Sequence, residues 1–108
     1  MKSVLTAGLA AVTFFVAGVW NAEAQTAPDA ASRDAARKLA TTMCASCHGP
    51  EGAGSKPSVP RLAGQQKAYL AAQLKAFRRH NRSDPEGHDY MWGVAATLDD
   101  NVVDGLAG

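Results

Sequence analysis

The sequence predicts a small all-α domain of three to four helices. Three observations lead there. Apolar residues recur at helical spacing between Gln65 and His80, and Ala30 to Met43 is alanine-rich with interspersed charges. No stretch alternates apolar and polar residues as a half-buried strand does. Between the two helical stretches stands Cys44-Ala45-Ser46-Cys47-His48, a compact cluster that needs a ligand to explain it.

Residues 1–24 read as a leader and not as part of the domain. Lys2 supplies a positive start, Val4 to Val19 is apolar or small throughout, and Ala22-Glu23-Ala24 gives the small-x-small pattern of a signal-peptidase site. The expected cut lies between Ala24 and Gln25, leaving residues 25–108 as one domain without a membrane span. The competing reading is an uncleaved anchor, for which the apolar run is close to the lower limit of about 17 residues. A domain of this size has little core of its own and usually needs a staple. The net charge is +1, and no basic block extends beyond Arg78-Arg79, so nothing points to nucleic acid.

The first helix is expected over Ala30 to Met43, capped by Asp29 or Ser32, with Ala36, Leu39, Ala40 and Met43 on one face. Gly49 then allows a sharp exit. Pro50 to Pro60 reads as a loop, since it holds Gly52, Gly54, Pro57 and Pro60. The middle helix, Gln65 to His80, presents Tyr69, Leu70, Leu74 and Phe77, with Tyr69 and Phe77 read as core. Asn81 to Asp89 is a second polar loop, with Pro85 and Gly87 as breakers. Tyr90 to Leu98 is short and mixed. Asp99 reads as the cap of a last helix from Asp100, about two turns long, with Val103 and Leu106 facing inward.

The C-x-x-C-H pattern is that of covalent c-type haem attachment. Two thiols, Cys44 and Cys47, add across the two haem vinyl groups and become thioethers. His48 then lies where it can bind the iron as proximal ligand. A thioredoxin-like disulfide would need a strand-and-helix alternation that is missing, and a structural zinc would need a second ligand pair. One haem c is therefore the expected cofactor.

The second axial position is open to Met91, His88, His80 or no side chain. Met91 is the preferred ligand, because a thioether suits haem iron and lies beside Gly93, which would allow close backbone approach. The ordinary role of a methionine is gap filling in a core. The proximal imidazole needs an acceptor for its free N–H. A carbonyl of the Pro57 to Pro60 loop is expected to serve, with Pro60 chosen for its fixed φ.

Cys44 to Gly52, Pro60-Arg61-Leu62-Ala63-Gly64-Gln65 with Tyr69-Leu70 and Gln73-Leu74, and Met91-Trp92-Gly93 with Leu98-Asp99-Asp100 together resemble the class I cytochromes c. The likeness is to the short bacterial periplasmic monohaem kind and to one half of the dihaem bacterial kind. It runs from about Ala35 to Leu106. The resemblance implies the cytochrome c fold around one haem, with first and last helices crossing. It implies thioethers at Cys44 and Cys47, His48 and Met91 as iron ligands, and Pro60 as acceptor for the histidine. Two features depart from the family. Ala36 and Ala40 stand where its first helix carries a glycine and an aromatic, and the last helix is truncated, ending before a customary aromatic turn.

The function so implied is a periplasmic one-electron carrier, not an enzyme. Its partners would be a membrane cytochrome complex, a terminal oxidase or a periplasmic dehydrogenase. Lys56, Arg61 and Lys67 are candidates for charge around the exposed haem edge, although a solvated surface is the ordinary reading of such residues. The alternatives are a haem-bearing subunit of a periplasmic or membrane oxidoreductase complex, and an open-site haem sensor or catalyst.

Overall fold

The computed structural model describes residues 26–108. The predicted signal segment, 1–24, lies outside the described residues. Asp29 starts the first helix, its carboxylate accepting the Ser32 N–H at 2.7 Å. Helix α1 (Ala30–Leu39) does not stop at its end. It widens into a π-helical turn over Ala40–Cys44 and tightens again as α2 (Ala45–His48). The Thr41 hydroxyl lies 3.0 Å from the Arg37 carbonyl and the Thr42 hydroxyl 2.7 Å from that of Lys38. Such side-chain bonds into the preceding turn compete with the backbone ladder and favour its widening.

Gly49, at φ +81°, ends this helix, a conformation that glycine adopts without strain. The loop beyond is knitted by its own backbone. The Gly52 carbonyl accepts the N–H groups of both Leu62 and Ala63, and Gly54 N–H donates to the His48 carbonyl at 2.7 Å. Helix α3 (Lys67–Arg78) is two residues shorter at each end than the expected Gln65 to His80.

Residues 85–95 are helical, where the sequence suggested a loop and a mixed stretch. The helix contains a second π turn, Gly87–Met91, and ends as α4 (Trp92–Ala95). Its start is built from the residues read as breakers. Asp84 accepts the Gly87 N–H at 3.1 Å as an N-terminal cap. Pro85 takes the first helical position, where a missing N–H costs nothing. Gly87 is buried against Phe77, whose Cε1 would lie 2.6 Å from a Cβ there. Helix α5 (Asp100–Ala107) is capped by Asp99, which accepts the Val102 N–H at 2.8 Å.

Helix α5 packs on both α1 and α3. Phe77, Ala95, Leu98 and Val103 form the buried core, with Leu74, Met91, Trp92 and Leu106 against it. At the α1–α5 contact a Cβ on Gly105 would meet that of Ala36 at 2.9 Å. The small pair is therefore Ala36 with a glycine of the last helix, and Ala40 is exposed and takes no place in it. Tyr69 is 47% exposed, so of the two aromatics read as core only Phe77 is one. Among the described residues there is no strand, and no helix is long and apolar enough to cross a membrane.

Helix α3 is tied to the start of α5 by Arg78, which donates to the Leu98 carbonyl at 2.6 Å and to the Asp100 carboxylate at 2.5 Å. That guanidinium holds the Asp100 carboxyl below its usual range. A carboxyl depressed in the folded state stabilises the fold above its unfolded value, near about pH 4, and loses that contribution as pH falls through the folded value. Asp100→Asn is thus expected to narrow its stability gap to wild type as pH drops from neutrality to below about 4. Denaturant midpoints along a pH series check this, and a gap independent of pH would remove the argument.

Candidate cofactor site

The end of the first π turn and the single turn of α2 that follows it carry three functional groups. Cys44 and Cys47 are free thiols, and Cys44 is half-buried, so desolvation pushes its thiol above the ordinary value. His48 is buried at 8% exposure. Its Nδ1 lies 2.9 Å from the Pro60 carbonyl oxygen, which fixes Nδ1 as the protonated donor nitrogen. Its Nε2 has no protein partner among the described residues. Ser55 Oγ donates to the Cys47 carbonyl, pinning the loop to the turn from the other side.

These groups line a cavity of about 410 Å³. Its walls are mainly apolar: Leu39 and Met43 from the first helix, Leu70, Leu74 and Phe77 from α3, and Val94, Leu98 and Leu106 beyond. Pro60 and Met91 lie on the same lining. His80 and His88 do not. His80 stacks on the Trp92 ring at 4.0 Å, and His88 meets that ring edge-on at 4.4 Å. Gly93 is exposed and away from the cavity, so its expected close approach to the cofactor is not seen. Lys56 and Arg61 reach the lining, whereas Lys67 lies on a separate pocket with Pro28, Ala71 and Asp104.

Four further lining residues stand out, none assigned to the cofactor site by the sequence reading, which placed Tyr69 in the core. Tyr69 and Tyr90 are 47% and 69% exposed and stand where the cavity meets solvent. Arg82 and Asp84 form an ion pair at 2.6 Å beside Phe77. The Asp84-Pro85 step, an N-cap followed by proline, was the available signal for the last two.

The donor set fits a haem. Two thiols and an imidazole with one free nitrogen sit on one helical turn, against apolar walls that suit a flat macrocycle. The sequence pattern of the family described as "Cytochrome c" matches residues 34–101, more than half of the chain. This chain belongs to the cytochrome c family. Covalent c-type haem through Cys44 and Cys47 follows from that membership and the C-x-x-C-H spacing. This cytochrome c is 51% identical over 65 residues to cytochrome c-552 of Acidithiobacillus ferridurans, covering 59% of the chain and 28% of that protein. It is 45% identical over 65 residues to a thiosulfate dehydrogenase electron acceptor of Stutzerimonas stutzeri (strain A1501), covering 59% of the chain and 29% of that protein. Against cytochrome c4 of Stutzerimonas stutzeri it is 40% identical over 65 residues, covering 59% and 31%. The chain thus matches under a third of the length of each of these relatives.

Proposed function

We propose that this cytochrome c is a periplasmic one-electron carrier, with His48 and Met91 as the two axial ligands of its haem iron. The observation that carries the reading is that the His48 imidazole and the Met91 thioether, from two different helices, line one mainly apolar cavity with both thiols. When bound, haem supplies an iron that takes up and gives up one electron. Pro60 orients the imidazole through its carbonyl and leaves Nε2 as the ligating nitrogen. Met91 is a soft donor whose pairing with histidine raises the reduction potential. With His48 and Met91 both holding the iron, no open position would remain for a substrate, and the protein would carry electrons rather than catalyse.

Residues 1–24 serve as the export signal in this reading, with cleavage after Ala24. Tyr69 and Tyr90 offer aromatic surface at the cavity mouth to a docking partner, a membrane cytochrome complex, a terminal oxidase or a periplasmic dehydrogenase. The relative named as an electron acceptor of thiosulfate dehydrogenase supports the last class.

The test is the optical spectrum of the protein and of Met91→Ala. The ferric wild type is expected to show the weak far-red band of sulfur-to-iron ligation and, when reduced, to resist carbon monoxide. Met91→Ala loses the band, binds carbon monoxide and has a lower midpoint potential. A wild type that binds carbon monoxide as readily as the variant would sink the proposal.

A further inference from the structure

Arg82 stands in the link between α3 and the helix that bears Met91, and it touches both. Its Nη1 donates to Gln73 Oε1 at 2.9 Å, and its guanidinium lies 4.6 Å over the Phe77 ring, both on α3. Its Nε donates to Asp84 Oδ1 at 2.6 Å. Asp84 in turn holds the start of the π turn, through Gly87 N–H on Oδ2 at 3.1 Å and His88 N–H on its carbonyl at 2.8 Å. The far end of that turn returns to the same residue, because Trp92 Nε1 donates to the Arg82 carbonyl at 2.6 Å. Met91 lies between these two anchors, next to Trp92.

We infer that Arg82 is a positioning residue for Met91, clamping both ends of the π turn to α3 and so holding the thioether at the cavity. The inference rests on the reading of Met91 as an iron ligand. An isolated surface ion pair would contribute little. Here a planar fork spans two acceptors and lies on an aromatic face, an arrangement lysine does not reproduce. A turn released from α3 lets Met91 leave the iron more often, and any small ligand then competes better for that position.

The experiment is a titration of the ferric, haem-loaded protein with imidazole, followed by loss of the far-red band. Arg82→Gln is expected to bind imidazole about tenfold tighter than wild type, or about 1.4 kcal/mol. Asp84→Asn keeps a capping oxygen but loses the charge pair, and shifts the affinity in the same direction. The double variant gains less than the sum of the two, because both break one clamp. Arg78→Gln, which cuts the tie between α3 and α5 instead, is the control and leaves imidazole affinity at the wild-type value even if it lowers the melting temperature. Should Arg82→Gln fail to load haem, Arg82→Lys carries the same expectation. A wild type without the far-red band overturns the Met91 reading and this inference together. A wild type with the band, and imidazole affinity unchanged in the Arg82 and Asp84 variants or raised equally in Arg78→Gln, overturns this inference alone.

Discussion

Phe77→Ala is expected to destabilise the haem-loaded protein by about 3–5 kcal/mol. Phe77 is 7% exposed and belongs to the core with Ala95, Leu98 and Val103. It also forms part of the cavity wall and carries the Arg82 guanidinium on its face. Gly87 is seated directly against its ring edge. Truncation therefore removes one surface from three neighbours that cannot follow it: α4, the capped start of the helix 85–95, and the cofactor. Collapse is the usual way a site limits such a loss, and a covalently held macrocycle on one side restricts it. Denaturant midpoints with an unchanged slope check the figure, and a loss below about 1 kcal/mol would show that the site relaxes freely.

Gly105→Ala has the second large effect, and its sign is the informative part. In an isolated helix the exchange stabilises by about 1 kcal/mol. In α5 the new Cβ would lie 2.9 Å from the Ala36 Cβ and 3.3 Å from the Ser32 carbonyl oxygen. Neither neighbour is a flexible side-chain end, so α1 and α5 must separate. The expected net result is destabilisation of about 1–3 kcal/mol. Adding Ala36→Gly restores part of the loss, because the two positions share one contact. Stabilisation by Gly105→Ala alone would mean that the helices part without cost.

The parts of this molecule that were legible in the sequence are those fixed by local chemistry. Thioether attachment dictates the spacing of Cys44, Cys47 and His48, and helix capping dictates the carboxylates at Asp29 and Asp99. Periodicity marked α3 but not the depth of each residue on its face. It placed Tyr69 and Phe77 together, although one meets solvent and the other the core. The helix start at 85 is hidden because Pro85 and Gly87, each taken alone, read as helix breakers. With Asp84 in front of them they form a cap, a first-turn proline and a close packing contact. The α1–α5 contact was hidden for another reason. Which of two crossing helices supplies the glycine depends on the partner, and Ala36 gives no hint of Gly105 in its own surroundings.

The two π turns make the site depend on phase. Each holds one residue more than an α-helical path would need, and each ends on a sulfur-bearing residue of the cavity, Cys44 or Met91. One residue of an α-helix is about 100° of rotation. If the first turn were regular, α1 could still pack on α5 through Ala36, but Cys44, Cys47 and His48 would be swung by about that angle from the cavity. Each helix thus meets two demands at different angles, one from the core and one from the cofactor. The surplus residue reconciles them, so insertions and deletions between Ala40 and Cys44, or between Gly87 and Met91, act on haem geometry more strongly than substitutions of the same residues.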